Sequence, residues 1–198
     1  MRPSYVGSCK GGSCAEASAV TNAPRDSSAT AIWLPAQVSA TRDVGVADVD
    51  GDGDLDVLSA SYNDDRVAWY ENASGDAARW SPHTVTTEAN GADAVIAADL
   101  DGDGDLDLVS ASDLDNEVTW YENRRKGAAW PERAVTTSVP GARSVVGADI
   151  DGDGDLDAVS ASPNADRIVW YENRAGSGLE WAEHAIALGA NGAYSVWA

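Results

Sequence analysis

Fifteen aspartates stand in three strings of the form Asp-x-Asp-Gly-Asp-Gly-Asp-x-Asp. They are Asp48, Asp50, Asp52, Asp54 and Asp56, then Asp99, Asp101, Asp103, Asp105 and Asp107, and then Asp149, Asp151, Asp153, Asp155 and Asp157. Carboxylates packed this densely repel one another: at the effective dielectric of a protein surface, two such charges about 5 Å apart cost on the order of 3 kcal/mol before salt screening. A hard cation removes the conflict. Side chains at the first, third and fifth positions converge on an ion if the chain turns sharply, and the glycine at the sixth position (Gly53, Gly104, Gly154) permits the turn. The seventh position offers its backbone carbonyl and the ninth its carboxylate, completing an all-oxygen shell that suits Ca2+ better than the smaller, more strongly hydrated Mg2+. The strings therefore predict about three calcium ions. A helix-loop-helix calcium site is excluded, because its twelfth position needs a bidentate Glu and here holds Ser59, Ser110 and Ser160.

The strings belong to a repeat. Trp-Tyr-Glu-Asn recurs at Trp69–Asn72, Trp120–Asn123 and Trp170–Asn173, and a further tryptophan at Trp80, Trp130 and Trp181. All three markers recur at intervals of 50 or 51 residues. Such a period signals stacked supersecondary units and outranks any local pattern. Within each unit, short runs rich in β-branched and aromatic residues predict four strands. The first covers Asp43–Ala47, Ala94–Ala98 and Ser144–Ala148, and the second Leu55–Ser61, Leu106–Ser112 and Leu156–Ser162. A third carries the Trp-Tyr pair, and a fourth lies near Pro82–Thr86, Glu132–Thr136 and Glu183–Ala187. Neighbouring Trp and Tyr side chains point to opposite faces of a strand, so both faces of each sheet must be covered. The expectation is an all-β chain, a β-propeller segment of three four-stranded blades plus partial flanking strands, with repeats at about 43–92, 93–142 and 143–193. An antiparallel stack of hairpins is the alternative.

An Asp-x-Asp-Gly-Asp-Gly-Asp-x-Asp loop between two short strands, recurring about every fifty residues, resembles the FG-GAP or VCBS repeat of integrin-α-like propellers. The resemblance covers roughly residues 36–198. It implies calcium ligation by the first, third, fifth and ninth side chains and the seventh carbonyl of each string. It also implies an extracellular or cell-surface setting and a role in interaction or adhesion. The Phe-Gly and Gly-Ala-Pro strings that named the family are missing and the chain has no Phe, so the likeness is to the VCBS variety.

Charge narrows the partners. The 198 residues carry 33 acidic against 13 basic side chains, a formal net charge of −20. Such a field repels the phosphates of nucleic acid and anionic lipid surfaces. No apolar run reaches the length of a membrane span, and the first twenty residues lack the continuous apolar segment of a secretory signal. Residues 1–31, rich in Ser, Ala and Gly, read as a flexible leader before a propeller region at 32–198. Cys9 and Cys14 within the leader fit a local disulfide and two reduced thiols equally well.

Other candidates read as scaffold. His83 and His184 occupy one repeat position, where the middle copy has Arg133, and six of the eight tryptophans recur on strands. Glu71, Glu122 and Glu172 recur beside the Trp-Tyr pair, but glycoside hydrolysis needs two carboxyl groups across one bond. No catalytic set appears, and the expectation is a protein or glycan ligand bound without catalysis. Two alternatives stand beside it: a lectin-type propeller, and the non-catalytic propeller part of a larger hydrolase. Specificity would reside in the turns after the second strand, at Tyr62–Asp65, Asp113–Asn116 and Pro163–Asp166, which differ between copies. Ala36–Ser39 matches the fourth strand of a preceding unit, and Ala198 falls in the first strand of a following one. Closed propellers use about four to eight blades. The expectation is therefore a piece of a longer protein, or a chain that completes its ring by self-association.

Overall fold

The computed structural model describes residues 40–197. The expected leader, Cys9 and Cys14, and the strand expected at Ala36–Ser39 lie outside them. Each repeat forms one four-stranded antiparallel sheet with its strands in chain order. Blade 1 consists of β1 (Thr41–Ala47), β2 (Asp56–Ser61), β3 (Arg66–Glu71) and β4 (Ser81–Thr86). Blade 2 consists of β5 (Ala92–Ala98), β6 (Asp107–Ser112), β7 (Glu117–Tyr121) and β8 (Glu132–Thr136). Blade 3 consists of β9 (Ser144–Ala148), β10 (Asp157–Ser162), β11 (Arg167–Asn173) and β12 (Trp181–Leu188). The expected fold class is observed, a propeller segment of three blades. The second strand of each blade begins one residue later than expected, because the preceding leucine still belongs to the aspartate loop.

Each first strand neighbours the first strand of the next blade, β1 beside β5 and β5 beside β9, as the inner strands of a propeller do. The aspartate loops join β1 to β2, β5 to β6 and β9 to β10, so all three emerge at one end of the sheets. The turns after β2, β6 and β10 lie at the other end.

The cores lie between the sheets. Trp69, Leu58, Val67 and Val49 of blade 1 pack against Val95, Leu108 and Tyr121 of blade 2. In the next interface Trp120, Val109 and Val118 meet Val145, Val169 and Tyr171 of blade 3. The tryptophan of each pair thus faces the following blade and the tyrosine the preceding one, which follows from the twofold alternation of a strand. The small Ser-Ala-Ser stretches of β2, β6 and β10 are buried in the middle of the sheets. There the Ser110 hydroxyl meets the Tyr121 hydroxyl at 3.1 Å, and Ser160 meets Tyr171 at 3.2 Å. Each pair satisfies polar groups that would otherwise be costly to bury.

At the two outer blades, large apolar side chains are exposed: Val44, Val46 and Leu55 on blade 1, and Ile150, Ile186 and Leu188 on blade 3. Leu106 and Leu156, the counterparts of Leu55, pack against the cores with the preceding blades. Trp170 is only half-buried, whereas Trp69 and Trp120 are fully buried. Replacement of Trp120 by Ala is expected to cost about 3–5 kcal/mol, and of Trp170 by Ala clearly less. Urea unfolding of the two variants checks this, and equal losses would contradict a core formed between blades.

Candidate metal centres

Each aspartate loop is a tight reversal built on two left-handed glycines. In the first loop Gly51 has φ of 69° and Gly53 of 96°, and the other two loops repeat these values closely. Space is not the reason for glycine at the sixth position, since a Cβ on Gly53 would meet nothing within 4 Å. The backbone conformation is the reason, because it brings a side-chain Cβ too close to the following carbonyl. The reversal is closed by a hydrogen bond from the N–H of the sixth residue to the first carboxylate. Gly53 donates to Asp48 Oδ2 at 3.0 Å, Gly104 to Asp99 Oδ2 at 3.1 Å and Gly154 to Asp149 Oδ2 at 3.2 Å.

The result brings the first, third and ninth aspartates together. One carboxylate oxygen from each of Asp48, Asp50 and Asp56 lies within 4.8 Å of the others, and the same holds for Asp99, Asp101 and Asp107 and for Asp149, Asp151 and Asp157. Asp48 Oδ1 and Asp99 Oδ1 are buried and have no hydrogen-bond partner. A buried, unpaired carboxylate oxygen beside two further carboxylates is strongly unfavourable unless a cation completes it. The donor set is all oxygen and fits Ca2+, which would neutralise the cluster and hold the turn.

The fifth and seventh aspartates lie differently. Asp52 Oδ1 accepts the Asp54 N–H at 2.9 Å, Asp103 Oδ1 that of Asp105 at 2.9 Å, and Asp153 Oδ1 that of Asp155 at 3.0 Å. The Asp54 carboxylate lies against Gly75 and that of Asp155 against Gly176, in the loops after β3 and β11, with no room there for a Cβ.

The ninth aspartate ties three segments together. Buried Asp56 accepts the N–H of Val49 at 3.0 Å with Oδ2 and that of Asn72 at 2.8 Å with Oδ1. Asp107 does the same for Leu100 and Asn123, and Asp157 for Ile150 and Asn173. Burial pushes Asp107 up to about 6 despite these donors, and raises Asp56 as well. Loss of solvation likewise raises Asp50, Asp101 and Asp151, with the neighbouring carboxylates adding to it.

The role of the recurring asparagine is not legible in the sequence, although its recurrence marked the position. Asn123 Nδ2 donates to Leu106 O of its own blade and to Val49 O of blade 1, both at 2.9 Å. Asn173 Nδ2 reaches Leu156 O at 3.1 Å and Leu100 O of blade 2 at 2.7 Å. Each asparagine therefore latches its blade to the aspartate loop of the blade before it.

The other candidates pair with neighbours. His83 stacks on Trp69 with ring centroids 4.3 Å apart and meets Glu71 at 2.9 Å, and His184 repeats this with Trp170 and Glu172. In blade 2, Arg133 binds Glu122 at 2.9 Å and lies over the Trp120 ring. At the opposite end, one repeat position alternates in charge as Arg42, Asp93 and Arg143. Arg42 meets buried Asp93 at 3.3 Å and stacks on Tyr62, while Arg143 meets Asp113 at 3.0 Å, which Asn164 also contacts. The ion pairs and the Asn164 contact run between blades, and the pairing could only be seen once the blades were side by side.

The family model of the FG-GAP-like repeat matches residues 48–110 and 99–160, which together span more than half of the chain. No curated protein matches the chain in sequence. Among solved structures, a lectin of Agrocybe aegerita, described for its specific recognition of non-reducing terminal N-acetylglucosamine, is similar with a TM-score of 0.53 at 19% identity. The match covers 77% of this chain and 40% of the lectin, and at that identity it speaks to the fold alone.

Two predictions follow from the loop geometry. Asp48→Ala and Asp50→Ala are each expected to remove one calcium equivalent in calorimetry and leave the other two loops loaded, because each loop brings its own converging carboxylates. Asp56→Ala should remove that equivalent and also destabilise blade 1, since both of its oxygens hold backbone N–H groups. Loss of all three equivalents would show that the loops are not independent. The second concerns pH. A folded-state pKa near 6 for Asp107, against about 4 unfolded, means that ionising it costs stability in the metal-free protein as pH rises across that window. Loading the site requires the ionised form. Calcium affinity at the second loop should therefore fall by up to about tenfold per pH unit below about pH 6, with proton release on binding near that pH. Titration calorimetry between acidic and neutral pH checks it, and a pH-independent affinity would refute it.

Proposed function

Because the chain belongs to the FG-GAP-like repeat family, we propose that it is a calcium-binding β-propeller module that serves interaction or adhesion outside the cell and catalyses no reaction itself. The observation that carries this reading is the threefold recurrence of three converging carboxylates, with a buried, unpaired oxygen on Asp48 and on Asp99. The sites are structural in this reading: each ion holds the reversal between the first two strands of a blade. The Glu71, Glu122 and Glu172 carboxylates are each engaged with a cationic or imidazole partner and belong to the scaffold. Family membership supports an extracellular setting, where calcium is plentiful enough to fill weak sites. No helix among the described residues is long and apolar enough to cross a membrane.

The ligand of such a module is a protein or a glycan. Similarity in fold to a lectin supports testing the glycan first, on the end of the sheets opposite the aspartate loops, where the turns differ between copies. A glycan array including N-acetylglucosamine-terminated chains distinguishes the two, since binding to no sugar would leave a protein ligand.

Calcium removal tests the structural role. At ten times its dissociation constant each independent site adds about 1.4 kcal/mol. Three sites together should raise the melting temperature by roughly 8–16 °C over the protein in excess chelator. Three ions would also bring the formal charge from −20 to about −14, which relieves self-repulsion. Identical unfolding in chelator and in millimolar calcium would refute the reading.

A further inference from the structure

The loop joining the third and fourth strands contains one residue whose side chain is dictated by the neighbouring blade. Gly127 and Gly178 stand three residues before Trp130 and Trp181. Each donates its N–H to the latch asparagine of its blade, Gly127 to Asn123 Oδ1 at 2.6 Å and Gly178 to Asn173 Oδ1 at 2.8 Å. Their φ values are 82° and 64°. A Cβ on Gly127 would lie 2.5 Å from Cζ2 of Trp69, and one on Gly178 would lie 2.4 Å from Cζ3 of Trp120. Carbon atoms do not approach so closely. The tryptophan of one blade therefore fits only against a bare backbone in the next.

Blade 1 departs from this rule. Ala77 stands three residues before Trp80, donates its N–H to Asn72 Oδ1 at 2.9 Å and has a φ of 58°. By all three marks it is the counterpart of Gly127 and Gly178. It nevertheless carries a methyl group, in a backbone conformation that glycine adopts more easily. The methyl occupies the space that the two glycines leave to a tryptophan ring.

We propose that this position selects which blade can stand alongside. Ala77 makes the surface of blade 1 around Asn72 and exposed Leu55 a docking face for a blade of the same repeat in which a small aliphatic side chain replaces the tryptophan. The two interfaces inside the chain set the geometry of that contact, since both place the tryptophan position against this loop position. A second copy of the chain is a poor occupant, because it would present Trp170 of blade 3, and the indole would collide with the Ala77 methyl. Ring completion by joining blade 3 of one copy to blade 1 of another in the manner of the internal interfaces is thereby disfavoured.

A double-mutant cycle inside the intact chain tests the selection rule. Gly127→Ala is made alone and together with Trp69→Leu, and chemical unfolding is followed in calcium. The left-handed strain of the alanine is the same in both backgrounds and cancels. The folding equilibrium should fall by at least about tenfold more when Trp69 is present than in the Trp69→Leu background. Equal losses overturn the proposal. If Gly127→Ala alone does not fold, recovery in the double variant supports the proposal, and failure of both overturns it. Sedimentation of the full chain supplies a second arm: Trp170→Leu removes the indole that would collide with the Ala77 methyl and should self-associate more than the unmodified protein, and no difference between the two would overturn the proposal. Self-association that depends on Trp170 would show that Ala77 does not exclude a second copy.

Discussion

The buried carboxylate at the ninth position of each aspartate loop is the interaction on which the rest depends. Asp56, Asp107 and Asp157 each accept two backbone N–H groups, one from the start of the loop and one from the asparagine that ends the Trp-Tyr-Glu-Asn string. A carboxylate is the group for this task because it has two oxygens with several lone pairs and binds charged or strongly polarised donors about twice as well as a neutral acceptor. Burying the charge is costly, as the upward shift of Asp107 shows. The two backbone donors offset part of that cost, and a cation at the loop would offset more.

From that point the structure extends outward in two directions. Towards the loop, the ninth carboxylate presents itself beside the first and third, so that one rigid residue belongs both to the sheet and to the candidate metal centre. Towards the neighbouring blade, the backbone that it fixes carries the asparagine whose amide reaches the preceding loop at Val49 or Leu100. A loop held in shape thus becomes part of the blade interface. Loosening one loop would loosen the seam beside it, so a cation bound at the loop would act on the stability of more than one blade.

The apolar part of the seam follows from strand geometry. Trp and Tyr on adjacent residues face opposite ways, so each sheet gives a tryptophan to the next blade and takes a tyrosine contact from it. At the far end of the sheets the seam is closed by ion pairs through Arg42, Asp93, Arg143 and Asp113. Apolar packing between sheets supplies most of the burial, and the polar groups at the two ends set register.

Much of this was written in local sequence. The period of 50 or 51 residues, the two glycines of each loop and the alternation of Trp and Tyr depend on spacing and on backbone conformation. Four strands per unit and loops all at one end were therefore legible; the sequence expected the first, third, fifth and ninth side chains to share one ion, and the fold brings the first, third and ninth together. What needed the tertiary structure was every relation between units. The asparagine latches, the alternating Arg42–Asp93–Arg143 ion pairs and the difference between Ala77 and its glycine counterparts join residues far apart in the chain. A one-residue change from glycine to alanine is silent in a repeat. It acquires meaning only when the blade beside it is seen to bring a tryptophan ring within 3 Å of that position.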